Sequence, residues 1–496
     1  MVLLLSRSRS LCQGLFIFEI FLLNASAKAF TTGGGSVSGR NVTFNARVNV
    51  DSGGNGITPG GAPTPAYGTL QLSALGLIGG ATGGVLSETN SPKLTTTVAG
   101  GTHIHASGTV TLQSQSFSPA EADGQSLSAG LIFGVGIIHP TVTTGGTVTT
   151  SFNGVVDSAG AVVIRSDVQS KATSTGTAAS AGIAAGITDT NVDATMNPNV
   201  TTSVGGQITA SGNITVLSSV FTSVYAGNEA ENFSLGVSSG SVNVNATDST
   251  NITTEIGGNA SLTSTGGTVK VLAYHNFDGT SFTSDAVEAN SEALSVALLA
   301  SLDIAQSKLF STAGATVNAQ VDGGGTIAAP SGAVVLKSMS SNLANSHMRN
   351  ANGAILNVSV GSDPTATVQG TTTANFYGNV LGAGSTVGAQ SLTILAEGVD
   401  YAVAGMQETG GGLLNIGDSS ATSQGTPHVT VTVGGGGSTI LTQGDISGQA
   451  LGLTDSDSSS SSAGGGLIQI ADVTATATMN PTVTFTVAAG SSITSS

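Results

Sequence analysis

Two histidines one residue apart, His103 and His105 in "THIHAS", are the pair best spaced to ligate a metal, because residues i and i+2 of a strand point the same way. A zinc-like ion needs a third protein ligand, and none stands nearby in sequence, so the pair reads as two exposed histidines on a strand. His139, His275, His347 and His428 are scattered, with nothing in the sequence to link them. In the tract "TDSDSSSSSAGGG" from Thr454, the carboxylates of Asp455 and Asp457 can hold Ca2+ weakly. The repeated Gly-Asp nonapeptide of calcium-binding rolls is absent, so the tract reads as a flexible polar loop. Asn-x-Ser/Thr sequons recur at Asn41, Asn199, Asn213, Asn232, Asn245, Asn251, Asn259 and Asn357, as a Thr-, Ser- and Asn-rich composition produces them by chance.

Polysaccharide cleavage would need carboxylates clustered with one another or with Arg or Lys in a cleft, and usually aromatic faces for the sugar. Arg165 and Arg349 stand nearly alone, there is no Trp, and there are only 5 Tyr. Asp248, Glu255, Asp278, Asp285, Glu288 and Glu292 form a mild acidic zone that reads as solvated corners. The expectation is therefore a protein without catalytic, cofactor-binding or metal-binding residues.

The elements that carry these residues are announced by composition. The chain has 496 residues, of which 39% are hydrophobic, 8% charged and 4% aromatic, with 71 Gly. That hydrophobic content and a mean hydropathy of +0.27 exclude general disorder, while the shortage of charge sets the chain apart from common enzymes. In stacked strands each side chain lies about 4.8 Å above its counterpart, so a charge repeated up the stack repels itself, whereas Thr, Ser, Asn, Val and Ala stack without that cost. The net charge of −16 comes with no cluster of Lys and Arg beyond the first residues, so nucleic acid is not an expected partner.

The first 27 residues read as a secretory leader: Arg7 and Arg9, an apolar run from Leu11 to Leu23 broken by Glu19, then Ala25-Ser26-Ala27. Cys12, the one cysteine, lies inside it, so the exported chain would hold no disulfide, which suits a bacterial exported protein. No later run approaches the roughly 20 apolar residues of a spanning helix, so the remainder is not expected to be membrane-embedded.

A long repeat fills the rest. "ATMNPNVTTSV" from Ala194 returns as "ATMNPTVTFTV" from Ala477, with relatives such as "SPKLTTTV" from Ser91, "HPTVTTGGTVTTS" from His139 and "TPHVTVTV" from Thr426. Pro92, Pro140 and Pro198 lie 48 and 58 residues apart, and Pro364, Pro427 and Pro481 lie 63 and 54 apart, a period of about 55. Between these phrases recurs a Gly-rich apolar element, as in "SAGLIFGVGIIHP", "SAGIAAGITDT" and "GGLLNIGDSS", read as the start of a short strand. In "NPNVTTSVGGQITASGNITVLSS", Val200, Ser203 or Val204, Ile208, Ile214 and Val216 are the inward teeth. Short strands that cannot bury a face alone, repeated through the chain, imply an all-β stack of parallel coils around a shared interior. At about 20 residues per coil and 4.8 Å per step, the stack would have roughly twenty coils and a length of about 100 Å.

The alternation of these two elements from about residue 90 to 496 resembles the repeats of bacterial filamentous adhesins of the filamentous haemagglutinin and leukotoxin-like kind. The resemblance implies a right-handed parallel β-helix shown at or released from a cell surface, with host cells, matrix or glycans as partners and a secretion transporter for export. The motifs of an amino-terminal secretion domain are not identifiable in residues 28–90, which read as a β-rich cap or irregular start. The ending "NPTVTFTVAAGSSITSS" stops within a repeat, as in a truncated chain. The expected function is thus an adhesive or structural stalk. Two alternatives are a β-helical polysaccharide-degrading enzyme and an ice- or crystal-binding solenoid built on Thr-x-Thr pieces such as "TVTL" from Thr109 and "TVTV" from Thr430. A Thr ladder would demand a strict coil length, which a wandering period argues against.

Overall fold

Alternation of inward and outward side chains persists along most strands, and the chain winds so that all inward positions meet. The computed structural model describes residues 7–11, 15–23, 25–31, 34–58, 64–303 and 307–496. Every pairing between its named strands is parallel, in two large sheets. The protein is an all-β parallel solenoid.

One coil suffices to describe the rest. In residues 207–256 the chain runs through Gln207–Ala210 and Ile214–Ser234 in the first sheet, reverses over Leu235 and Gly236, and returns as Val237–Asp248 and Asn251–Ile256 in the second sheet. The next coil starts at Ser261–Ser264.

The register shows that the repeat of about 55 residues is a single coil, where the sequence suggested nearly three. Val162 pairs with Ile214, Ile214 with Val269, Val269 with Val334, Val334 with Leu392 and Leu392 with Ile446, steps of 52, 55, 65, 58 and 54 residues. The eight coils from residue 36 onward therefore rise about 40 Å, while a 21-residue strand such as Ile214–Ser234 is about 70 Å long. The physical reason is that most Gly, Asn and Ser sites sit inside long strands or at bends that do not reverse the chain. A chain of small, uncharged residues tolerates long flat runs.

Insertions leave the stacking undisturbed because they loop out locally. Val220 pairs with His275 and Val224 with Val287, so eight extra residues are absorbed by the loop at 276–286. Likewise Val48 pairs with Ser116 and Ala66 with Ala120, so fourteen are absorbed near residues 49–65.

The interior has two compartments. Near the bend between the halves of each second-sheet strand it is wide and filled by Val200, Val204, Ile208, Ile214, Val216 and Ile252, all at most 1% exposed. Each such side chain contributes about 1.5–3 kcal/mol through burial. Toward the reversal the sheets converge, and Ala172, Ala178, Ala194, Ala226, Ala230 and Ala246 fill a thin arm. Val204, not Ser203, is the inward tooth, and Thr202 is inward as well.

Between the compartments runs a buried file of hydroxyls. Ser114 donates to Thr96 at 3.0 Å, Thr150 to Ser114 at 3.0 Å, Ser166 to Thr150 at 3.0 Å, Thr202 to Ser166 at 3.0 Å and Ser218 to Thr202 at 2.9 Å. The inward threonine of each Thr-Thr pair thus fits a core: each hydroxyl of the file finds a partner one step along, so its desolvation is repaid.

The reversals belong to the Gly-rich apolar elements, which are tight connections between the sheets. A Cβ on Gly182 would lie 2.3 Å from the carbonyl oxygen of Ala185, and one on Gly130 2.2 Å from that of Phe133. Only glycine permits so close an approach at these positions.

Parallel pairing extends upstream of residue 91, where Ala66–Gly76 and Gly79–Asn90 belong to a coil like the others. In the segment read as a leader, Leu15–Leu23 pairs with Thr82–Asn90 and Ser26–Phe30 with Lys93–Thr97, while Cys12 lies outside the described residues. The tract containing Asp455 and Asp457 is not a loop but part of the strand Ile446–Gly465. Alternate serines explain why: Ser456 bonds Ser423, Ser458 the carbonyl of Ala421 and Ser460 that of Ser419, all across the interior. Among the described residues no helix is long and apolar enough to cross a membrane.

Candidate functional site

Stacking brings together residues that are more than fifty positions apart in sequence. On the outer face of the first sheet, Thr177, Glu229, Glu292, Arg349 and Gln407 form one file, each in register with the next. Beside it runs the file Asp123, Thr175, Gly227, Asn290, His347 and Gly405. Together they line an open groove of about 790 Å3.

Two glycines shape the floor. A Cβ on Gly227 would lie 2.6 to 2.9 Å from Cε1, Cζ and the hydroxyl oxygen of Tyr225, and one on Gly405 would lie 2.7 Å from Nδ1 of His347. Tyr225 and His347 therefore lean over bare backbone, one to either side of Asn290 in the register file. Arg349 Nη1 meets Glu292 Oε1 at 3.4 Å, and Thr175 donates to Asp123 at 3.1 Å. Glu229 stands one step from Glu292 with the same charge, a repulsion that Arg349 on the far side offsets.

The sequence reading placed Arg349 nearly alone and Glu292 at a solvated corner. The fold instead unites a carboxylate pair, a guanidinium, an imidazole and an aromatic ring, because coil stacking converts a separation of about 55 residues into one interstrand step. No spacing rule in the sequence reveals this without the coil length.

The outer face of the second sheet carries a different array. Thr95, Thr149, Thr201, Thr253, Asn318, Thr373, Thr430 and Thr484 stand in one register file. A second file, beyond the bend, holds Thr89, Thr143, Thr195, Thr247, Thr312, Thr367, Gln424 and Thr478. Steps within a file are about 4.8 Å. Variable coil length does not break the files, because the extra residues leave the sheet as loops.

His103 and His105 do meet a third group, Asp157 of the next coil. Its Oδ2 lies 3.1 Å from Nδ1 of His103 and 3.1 Å from Nε2 of His105. The carboxylate oxygen sits between the two rings, hydrogen-bonded to His103 and within ion-pair distance of His105. Among the described residues no group of three or more His, Cys, Asp or Glu side chains is arranged to hold a metal ion.

His275 and Asp248, read as unconnected and solvated, are buried together at 1% and 3% exposure, with His275 Nε2 3.3 Å from Asp248 Oδ2. Thr222 Oγ1 donates to Asp248 Oδ2 at 2.7 Å and lies 2.8 Å from the same His275 nitrogen. Thr250 donates to Asp248 Oδ1 from its backbone NH at 3.0 Å and from its hydroxyl. Burial pushes the Asp248 pKa up, but the hydrogen bond and charge of His275, with the Thr250 and Thr222 hydroxyls, hold it below the usual carboxylate value. Thr, His and Asp are the residue types of a nucleophile, base and orienter, yet one imidazole nitrogen faces both partners and no cavity large enough for water opens there. The cluster is structural.

The remaining candidates are spread out. His139 contacts Asp189 at 3.5 Å, Arg165 pairs with Asp167 at 2.9 Å, and His428 stands exposed on the second sheet. Of the acidic zone, Asp278 is exposed in the loop at 276–286, Asp285 and Glu288 are half-buried beside it, and Glu255 is half-buried near Asp322. Among the sequons, Asn232 and Asn357 are buried and unsuited to carry a glycan.

No protein-family model, curated protein or solved structure matches this chain.

Proposed function

We propose that this solenoid is an exported adhesive and structural protein that attaches to surface glycans through the groove on its first sheet. The observation that carries the reading is an open groove in which two rings lie against bare backbone, Tyr225 over Gly227 and His347 over Gly405, flanked by Asn290, Glu229, Glu292 and Gln407. Aromatic faces stack on pyranose CH groups, while amide and carboxylate oxygens accept hydroxyl protons. Three carboxylates, Asp123, Glu229 and Glu292, against Arg349 favour neutral or amino sugars over uronates. Glu292 is 65% exposed and the groove is open, which suits retention of a chain better than cleavage in a water-excluding site.

The test is affinity electrophoresis or isothermal titration of the whole chain against neutral, amino and acidic polysaccharides, with reducing ends assayed in parallel. Binding to a neutral or amino polymer that Tyr225→Ala and Gly227→Val both weaken at least tenfold is the expected result. Release of reducing ends, abolished by Glu229→Gln or Glu292→Gln, would move the assignment to a glycan-degrading enzyme.

A second reading rests on the two threonine files. A lattice of methyl and hydroxyl groups repeating at about 4.8 Å can order water into a regular sheet and so bind ice or another crystal face. Ice affinity purification and recrystallisation assays test it. Retention that is lost on Thr201→Tyr, with glycan binding unchanged, would support it, and absence from the ice fraction would dismiss it.

A further inference from the structure

From residue 77 onward each coil reverses from the first sheet to the second over two residues, at least one of which is an exposed Leu or Ile. Leu77 is 82% exposed, Leu131 56%, Ile183 50%, Leu235 57%, Leu298 58% and Leu413 55%. Successive reversals hydrogen-bond to one another: the Ala184 NH donates to the Ile132 carbonyl at 2.6 Å, the Gly236 NH to that of Ile183 at 2.8 Å and the Leu413 NH to that of Ile355 at 2.9 Å. The result is a continuous ridge about 34 Å long across eight coils. No Asp, Glu, Lys or Arg lies within three residues of any of these reversals, in a chain that carries 28 acidic and 12 basic residues.

More than a dozen large apolar side chains at or beside the reversals are roughly half exposed, leaving over about 1,000 Å2 of apolar surface on one edge. A monomer rarely leaves more than about 300–600 Å2 in one patch, and a stable interface needs about 800 Å2 from each partner.

We infer that this ridge is the contact between two copies of this chain, packed edge to edge about a two-fold axis with their stacks antiparallel. A two-fold contact requires a patch that complements itself, and a row of like teeth at about 4.8 Å intervals meets an inverted row in register. The absence of charge at the ridge lets two chains of net charge −16 approach without like charges in the contact. A lipid occupant is disfavoured because no Lys or Arg flanks the ridge to meet headgroups.

The experiment is sedimentation velocity of the full chain across the micromolar range, beside flotation with zwitterionic vesicles. A dimer is expected, and the triple variant Leu131→Ser, Leu235→Ser, Leu298→Ser shifts its dissociation constant at least a hundredfold. Since these side chains are exposed, the variant keeps the wild-type circular dichroism, and its melting temperature matches that of the wild type at concentrations too low for dimerisation. In a Cys12→Ser background, Leu235→Cys, near the middle of the ridge, forms a disulfide-linked dimer under mild oxidation, whereas Thr201→Cys on the second sheet does not. A chain that stays monomeric, a dimer indifferent to the triple variant, or vesicle binding that the triple variant abolishes would each overturn the inference. Glycan binding by the first-sheet groove is read separately and is unaffected by these variants.

Discussion

Asp400 offers the sharpest test of how the stack handles charge. Its side chain is 1% exposed, with Asn342 Nδ2 donating to Oδ1 at 2.8 Å. Burial pushes its pKa up to about 6 from 3.8, against the opposing Asn342 hydrogen bond and the charge of His275. Between about pH 4 and 6 the folded chain therefore holds a proton that the unfolded chain releases. Stability must fall as pH rises through that window, and the whole penalty is present above pH 6. Two pKa units correspond to about 3 kcal/mol as an upper limit. Asp400→Asn keeps the oxygen that accepts from Asn342 and removes the charge, but adds amide donors whose lack of partners costs about 1 kcal/mol. The variant should be about 2 kcal/mol more stable than wild type at pH 8 and about 1 kcal/mol less stable at pH 4, with a crossover between. Urea denaturation followed by far-UV circular dichroism from pH 4 to 8 measures this, comparing midpoints because solenoids need not unfold in two states. A variant destabilised equally at both ends of the range would show that Asp400 is ionised without penalty, and the account of its burial would be wrong.

Two further predictions concern the interior. Thr202→Val removes one member of the buried hydroxyl file and should cost about 1–2 kcal/mol, while Thr201→Val on the outer face should change stability by less than about 0.5 kcal/mol; equal effects in thermal melts would contradict the inward-outward assignment. His275→Ala leaves the Asp248 carboxylate buried without its imidazole partner and should cost about 3–5 kcal/mol at pH 7. Because Asp248 is held below its ordinary pKa, its stabilising share is present above about pH 4 and fades as pH falls further, so acid unfolding of wild type and variant should converge there.

Much of the fold is written locally. Alternation of Val200, Thr202 and Val204 against Thr201 and Ser203 already separates inside from outside, since successive side chains on a strand point to opposite faces. The shortage of charge signals stacking for the same local reason, because a repeated charge would face itself in the next coil. What residues in sequence order could not convey is which of the many Gly, Asn and Pro sites reverse the chain and which only bend it. That choice shows in how closely the chain folds back on itself and on the reversal of the preceding coil, as at Gly130 against Phe133 and Gly79 and at Gly182 against Ala185 and Phe133, and the preceding reversal lies about fifty residues away. Coil length follows from that choice, and from coil length follows everything that lies across coils. Glu229, Glu292 and Arg349 in one file, Tyr225 and His347 about one groove, Asp157 between His103 and His105, and the buried Asp248 and His275 are neighbours only because about 55 residues make one circuit. Sequence alone determined a parallel β-stack of uncharged coils, since that is a matter of alternation and self-compatibility; the tertiary structure decided its circumference and hence its surfaces, since those depend on contacts between residues that no local rule pairs.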